Sequence, residues 1–348
     1  MKIVLYSETF LPDLGGLERN SYTLAITLKK LKHDVVLLTG TLNECSEVLP
    51  FPVIRTKSIN DIIRNFQKAD CVIVNGGISI KACLPAFFLR RKYLVIYQMS
   101  TLYYSERSDI KSALKERLSK FLAAKALINI TVSEYARTNL RLKNILTATL
   151  INPLDEQLWM LSAKVARLPK KYDILFAGRM IEGKGIFILA EAYKKLLKKN
   201  MQLTIAFAGD GEDEEIFKKY IQNNQLPVIF LGRLDKISLL EAYVSSKILV
   251  VPSSTHIEGS PLVIAESISL GTPVIASNQP AMIEIVGKAG VIFNSGDAEN
   301  LAEKLYDIFQ NDSVLNELIL QCENEKDKFS YQKYVENVSR ILSVAGNH

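Results

Sequence analysis

The stretch Tyr172-Asp173-Ile174-Leu175-Phe176-Ala177-Gly178-Arg179-Met180-Ile181-Glu182-Gly183-Lys184-Gly185-Ile186 reads as a buried strand, a glycine-bracketed turn and the start of a helix. A short apolar run that feeds a helix through such a turn is the repeating unit of a doubly wound parallel sheet. Open sheets of that kind bind ligands outside the carboxyl ends of their strands, at the topological switch point. Arg179 and Lys184 fall at that edge. A guanidinium grips two phosphate oxygens at once and a lysine adds a point charge, so the pair suits a diphosphate; two solvated cations on a surface loop are the plainer reading.

The same alternation runs outward in both directions. Downstream, strands are expected near 202–208, 227–231, 247–251 and 273–276, with helices near 185–199, 212–223, 236–245 and 261–270. Upstream, strands are expected near 2–7, 34–39, 70–75, 93–98, 127–132 and 145–151, with helices at 18–31, 59–68, 109–125 and 133–140. The fold class is therefore α/β, two doubly wound Rossmann-like domains in tandem. Residues 1–152 form the first domain, 153–171 a Pro- and charge-bearing hinge, and 172–328 the second domain. The tail is helical near 297–310, 312–325 and 329–345, and its last segment, 329–348, is expected to return to the first domain. A ligand would then sit in the cleft where the two sets of strand ends face each other.

Two further strand-to-helix loops carry candidate chemistry. Gly15-Gly16-Leu17-Glu18 follows the first strand and opens a helix, where bare backbone N–H groups and the helix dipole favour an anion. It matches neither a dinucleotide fingerprint nor a phosphate-loop motif, and taken alone a structural turn is the plainer reading. The other loop is Ser253-Ser254-Thr255-His256-Ile257-Glu258-Gly259-Ser260-Pro261-Leu262-Val263-Ile264-Ala265-Glu266. Ser260 as N-cap and Pro261 in the first turn predict a helix start. Glu266 then lies about 7.5 Å along the axis from Pro261 at 1.5 Å per residue, so two carboxylates flank an anion site at different depths.

Composition bounds the alternatives. The chain has 348 residues, 48% hydrophobic and 23% charged, enough for two cores and too apolar for disorder. Cys45, Cys71, Cys83 and Cys322 lie far apart without CxxC spacing, which reads as a reduced intracellular chain without structural zinc. No secretory signal pattern precedes the first strand, and no apolar run approaches the ~20 residues of a membrane span. A cytoplasmic protein, or one peripheral on the inner face of the cell membrane, is expected. Residues 1–150 carry 22 Lys and Arg against 12 Asp and Glu, a balance of +10, whereas the remainder carries 21 against 25, a balance of −4. Basic residues without interleaved aromatic motifs argue against nucleic acid. Lys81, Arg90, Arg91 and Lys92 around the apolar run 83–89, with Lys111, Lys115, Arg117, Lys120 and Lys125 nearby, suit an anionic membrane surface.

The ordered set of motifs resembles the family-4 retaining glycosyltransferases of the GT-B fold, the glycosyl transferases group 1. Gly15-Gly16-x-Glu18 and His33-Asp34-Val35 resemble the family's opening. Ala177-Gly178-Arg179 with Lys184-Gly185, Ala208-Gly209-Asp210-Gly211, Phe230-Leu231-Gly232, Val251-Pro252-Ser253, Glu258 with Glu266, and Gly271-Thr272-Pro273-Val274 follow in family order.

The resemblance implies transfer of a hexose or N-acetylhexosamine from a nucleotide-diphosphate sugar, most simply UDP-linked, with retention and without a metal or cofactor. The acceptor would be a hydroxyl of a glycan or lipid-linked molecule in cell-surface polysaccharide or glycolipid synthesis. It implies that Arg179 and Lys184 hold the diphosphate, with Gly16 opposite, and that Glu266 binds the ribose. Glu258 and the backbone of Gly259, Ser260, Pro261 and Leu262 would hold the sugar and its phosphate, which makes Glu258, Arg179 and Lys184 the catalytic set. Many relatives carry a first-domain histidine facing the sugar. Here that stretch is Val95-Ile96-Tyr97-Gln98-Met99-Ser100-Thr101, so Gln98, Ser100 or Thr101 would supply the hydrogen bond, and His256 is a further sugar-side candidate. The missing histidine leaves open a non-catalytic sugar-nucleotide-binding subunit, and disfavours a nucleotide-sugar epimerase or hydrolase.

Overall fold

Thirteen short strands, most of them apolar throughout, sort into two parallel sheets in the computed structural model of the chain, which describes residues 1–13, 15–43, 48–99, 110–140, 145–154, 156 and 168–347. Two compact units result: Met1–Asn152 together with the chain from Gln332 onward, and Pro153–Tyr331.

In the first unit the order along the sheet is β3-β2-β1-β4-β5-β6-β7. The strands are β1 (Lys2–Ser7), β2 (Asp34–Thr39), β3 (Val53–Arg55), β4 (Cys71–Asn75), β5 (Lys92–Tyr97), β6 (Ile128–Thr131) and β7 (Thr147–Thr149). Helices α1 (Gly16–Lys30), α2 (Ile59–Gln67), α3 (Ile80–Phe88), α4 (Ile110–Lys125) and α5 (Glu134–Asn139) connect them. Central strands are buried on both faces, as helices on either side require: all five residues of β4 are buried. The order reverses between β1 and β4, whose ends pair Ser7 with Asn75. The last helix of the chain, α13 (Tyr331–Asn347), closes on this unit, where Lys92 Nζ donates to the Ala345 carbonyl at 3.1 Å.

In the second unit the order is β10-β9-β8-β11-β12-β13. Its strands are β8 (Tyr172–Ala177), β9 (Ile205–Ala208), β10 (Val228–Gly232), β11 (Ser246–Val251), β12 (Val274–Ser277) and β13 (Gly290–Phe293). Its helices are α6 (Ile186–Lys198), α7 (Glu214–Asn223), α8 (Lys236–Val244), α9 (Leu262–Ser269), α10 (Pro280–Val286), α11 (Ala298–Gln310) and α12 (Asp312–Glu325). Phe176, Phe207 and Phe217 lie at the centre of its core, with neighbouring rings 5.0–5.5 Å apart. The reversal falls between β8 and β11.

The structure corrects the sequence reading at five elements. Strands β3 and β13 are three and four residues long and lie at sheet edges, part-buried except for Phe293, too short to stand out from the connections around them. Helix α3 contains Pro85 in its interior, a residue that argues against a helix, and α10 is only seven residues with Pro280 in its first turn. The helix after the Glu258 loop starts at Leu262, not at Pro261: Pro261 keeps ψ 117° and occupies the N-cap position, and no side chain caps this helix. Ser260 therefore does not serve as the cap.

Candidate functional site

In the second unit three turns converge on the carboxyl ends of β8, β9 and β11. Gly178 N–H donates to the Ala208 carbonyl at 3.0 Å and Met180 N–H to the Asp210 carbonyl at 2.7 Å. Asp213 N–H returns to the Met180 carbonyl at 3.0 Å, and its carboxylate accepts from Glu182 N–H at 2.7 Å. A Cβ on Gly209 would lie 1.9 Å from the Gly178 carbonyl oxygen, which is why glycine stands there. Asp213 occupies the N-cap position of α7, and with Glu214 and Glu215 places acidic groups where the helix dipole favours them.

The turn after β8 passes through a single 3₁₀ turn, Glu182–Lys184, and reaches Gly185 at φ +78°, the left-handed region. A Cβ at Gly185 would approach the Pro252 carbonyl oxygen to 1.9 Å, so this glycine both permits the backbone conformation and lets the two loops touch. Gly183 carries the contact further: its carbonyl accepts from Ser254 N–H at 2.9 Å and from His256 N–H at 3.2 Å. Lys184 is thereby carried against the Glu258 loop.

Lys184 Nζ meets Glu258 Oε1 at 2.6 Å, with the side chains 20% and 8% exposed. Ser253 Oγ donates to the same oxygen at 2.7 Å. A nearly buried carboxylate that holds both an ammonium and a hydroxyl is fixed in place and electrically balanced. Arg179 is exposed and makes no ion pair with a carboxylate among the described residues. His256 lies half-buried on the same loop. Burial and the Lys184 charge, opposed by Glu258 and reinforced by Arg179, hold its imidazole below the usual histidine range. Glu266, also buried, accepts from the Tyr243 hydroxyl at 2.9 Å on the first turns of α9. Gly259 and Pro261 are buried, and Ser260 and Leu262 are part-exposed between the two glutamates. The arrangement offers one exposed guanidinium, one paired ammonium, two buried carboxylates and a short helix's N-terminal backbone at a single sheet edge, a constellation suited to a polyhydroxylated diphosphate.

At the corresponding edge of the first unit the material is different. Asn75 Nδ2 donates to Asn20 Oδ1 and to Ser21 Oγ, each at 2.9 Å. Gln98 Nε2 donates to Asn20 Oδ1 and to Asn75 Oδ1, each at 2.8 Å. Asn20 Nδ2 reaches Asn152 Oδ1 at 2.5 Å, and Asn152 Nδ2 closes the ring on Gln98 Oε1 at 3.3 Å. Ser21 Oγ donates to Ser7 Oγ at 3.0 Å. The Gln98 amide thus spends both its hydrogens and its oxygen inside the chain, so the structure does not present it as an open substitute for a sugar-facing histidine. Ser100 and Thr101 lie outside the described residues. Gly16 is the first residue of α1, and a Cβ there would meet no atom of the chain within 4 Å, so no internal contact requires a glycine.

Sequence reasoning missed two parts of this picture. The ring of Asn20, Asn75 and Asn152 uses residue types that read as loop or cap residues, scattered over 132 positions. Gln279, which braces the Glu258 loop, carried no signal, because a lone glutamine between a strand and a helix is ordinary.

Residues 160–328 match the family model described as glycosyl transferases group 1. An uncharacterized glycosyltransferase of Haemophilus influenzae is 24% identical over 94% of this chain and 96% of its own. The capsular polysaccharide biosynthesis glycosyltransferase CapM of Staphylococcus aureus is 27% identical over 76% of this chain and 73% of its own. Among solved structures, Anabaena HepE, crystallised in complex with UDP, superposes with a TM-score of 0.79 at 17% identity, covering 99% of this chain and 100% of that one. The fold is GT-B. No described helix is long and apolar enough to cross a membrane.

Proposed function

We propose, from the match of residues 160–328 to the group 1 glycosyl transferases, that the protein is a retaining glycosyltransferase that moves a hexose or N-acetylhexosamine from a UDP-sugar to a hydroxyl of a glycan or lipid-linked acceptor. The observation that carries this reading is the joining of the Lys184 and Glu258 loops at 2.6 Å at the switch point of the second sheet, with Arg179 exposed beside them. The UDP complex of HepE supports the choice of nucleotide, and the name of CapM supports a role in polysaccharide synthesis.

In this reading Arg179 and Lys184 take the diphosphate, Glu266 the ribose hydroxyls, and Glu258 with the backbone of Gly259 to Leu262 the sugar. The bond from the anomeric carbon to the phosphate oxygen breaks as the acceptor oxygen bonds to the same face of that carbon, and the acceptor's proton passes to the departing phosphate. The charge that builds on the diphosphate is met by placed cations, which is transition-state electrostatics without a protein nucleophile. Since the chain itself supplies that positive charge, we expect transfer to survive EDTA.

Thermal-shift and calorimetric titration with UDP-, GDP-, ADP- and dTDP-sugars tests the reading. UDP-sugars are expected to stabilise the wild type, and Arg179→Ala to weaken them by about tenfold, the worth of one charge-assisted contact. Stabilisation by none of the four classes, or unchanged binding in Arg179→Ala, overturns it.

The acceptor side is proposed to meet an anionic membrane. Phe88 is 73% exposed, Leu114 67% and Phe121 44%. Phe87 stacks edge-on against Phe88 and Phe121 at 5.6 and 5.3 Å, so the rings form one cluster. Lys81, Arg90, Lys111, Lys115 and Lys120 are exposed on the same two helices and the turn after α3. Apolar rings framed by lysines match an anionic lipid surface, each cation contributing about 1 kcal/mol near it. In vesicle sedimentation, Phe88→Asp with Phe121→Asp is expected to release the protein from phosphatidylglycerol vesicles. Equal sedimentation with neutral and anionic vesicles refutes the docking.

A further inference from the structure

The loop 253–258 carries Ser253, His256 and Glu258 but belongs to no helix or strand, and Thr255 and Ile257 on it are exposed. A segment of this kind keeps one shape only where something outside it fixes its backbone. The Gly183 carbonyl holds the Ser254 and His256 N–H groups, and one side chain makes the most contacts with the rest of the loop's backbone. Gln279, at the N-cap position of α10, accepts from Glu258 N–H through Oε1 at 2.9 Å. Its Nε2 donates to the Ser253 carbonyl at 3.1 Å and to the His256 carbonyl at 2.9 Å. The partners dictate the chemistry: one N–H needs an acceptor and two carbonyls need donors, a combination that a carboxamide supplies and that neither a carboxylate nor an ammonium does. Ser277 Oγ adds a bond to the same Ser253 carbonyl at 2.5 Å, so the end of β12 and the turn after it grip the base of the loop together.

We propose that Gln279 is a positioning residue of the donor-sugar site, holding Glu258 and the residues before it in the shape that receives the sugar; this rests on the reading of the site given above. Glu258 is set from two sides, its backbone by Gln279 and its carboxylate by Lys184 and Ser253. Ser253 is in turn held at its carbonyl by Gln279. Removal of the carboxamide releases the Glu258 N–H and the His256 carbonyl and weakens the hold on the Ser253 carbonyl, which Ser277 keeps, while leaving Arg179 in place for the diphosphate. Gln279 therefore acts on sugar affinity, and the nucleotide portion is spared.

The experiment is calorimetric titration of the full chain with UDP, UDP-glucose and UDP-N-acetylglucosamine, for the wild type, Gln279→Met and Gln279→Glu. In Gln279→Met, UDP is expected to bind within about twofold of wild type, while the preference for the better UDP-sugar over UDP falls by about tenfold, the loss of roughly one net hydrogen bond. Gln279→Glu keeps the acceptor and loses the donors, and regains one donor when protonated. Its deficit relative to wild type at the same pH is therefore expected to shrink from pH 7.5 to pH 5.5, a recovery that a purely structural defect does not give. Equal losses for UDP and UDP-sugar, or no loss in either variant, overturn the positioning role. Failure of the wild type to bind any of the three probes removes the donor-site reading and this role with it, whereas wild-type binding with indifferent variants removes this role alone.

Discussion

At the β8–β11 edge a lysine and a glutamate meet at 2.6 Å beside an exposed arginine, while at the β1–β4 edge Asn20, Asn75, Gln98 and Asn152 close a ring of neutral amides. Both lie where the strand order reverses, the place at which an open sheet leaves room for a ligand. The difference lies in what each edge is asked to do. Ionised groups repay their desolvation only where a ligand brings charge of its own, so they gather where a diphosphate would depart. A satisfied amide ring carries no net charge and fixes geometry: it ties the N-terminal turns of α1 to the ends of β4 and β5 and to Asn152, the last residue of the unit before Pro153.

The sharpest way to break this contrast is to remove the charge pair. Lys184→Met is expected to slow transfer by about 10²–10³-fold, the usual worth of a donor aimed at developing charge. It also leaves Glu258 as a nearly buried carboxylate with no cation, at a cost of about 3–5 kcal/mol of stability, read as a fall in urea midpoint. The double variant Lys184→Met with Glu258→Gln is expected to recover most of the stability and none of the rate. Recovery of both would mean that the pair is structural.

The amide ring predicts the opposite split. Asn75→Ala removes two donated bonds and the acceptor for Gln98, and leaves Ser21 Oγ and Asn20 Oδ1 each short of a partner in a buried place. The expected loss is about 2–3 kcal/mol, with the affinity of the second unit for UDP unchanged. A loss of UDP affinity equal to the loss of stability would show that the two edges are not separable in function.

How much of this was legible in the sequence follows the same contrast. Arg179, Lys184, Glu258 and Glu266 announce themselves because ionisable residues at short spacing, set among glycines and a proline at a strand's end, have few uses. The amide ring was illegible because asparagines at 20, 75 and 152 are ordinary in isolation, and only the sheet order brings them together. Gln98 shows the limit from the other side: the apolar run places it at the end of the strand, which closes one residue earlier at Tyr97, but its hydrogen bonds are consumed by partners that the sequence does not reveal. Central strands stood out through unbroken apolar runs, whereas the edge strands β3 and β13, three and four residues long, were too short to do so.

The smallest expected effect tests the charge environment directly. His256 sits by the Lys184–Glu258 pair, and burial together with the Lys184 charge holds its imidazole below the usual range. In the unfolded chain it titrates near the ordinary value of about 6.5. Between that value and its lower folded value the unfolded state binds the extra proton. Stability due to this group is therefore fully present above about pH 6.5 and declines as pH falls through the folded value. His33, also held low by burial and by the N-terminal amine, adds a parallel slope. The informative quantity is thus the difference between wild type and His256→Gln across pH 5–7.5. Wild type should lose melting temperature more steeply on acidification than the variant, and pyrophosphate, by screening Lys184 and Arg179, should flatten the wild-type slope. Identical slopes with and without the imidazole would mean that the cations do not act on this loop. The contrast between a charged edge and a neutral one would then rest on the Lys184–Glu258 pair alone.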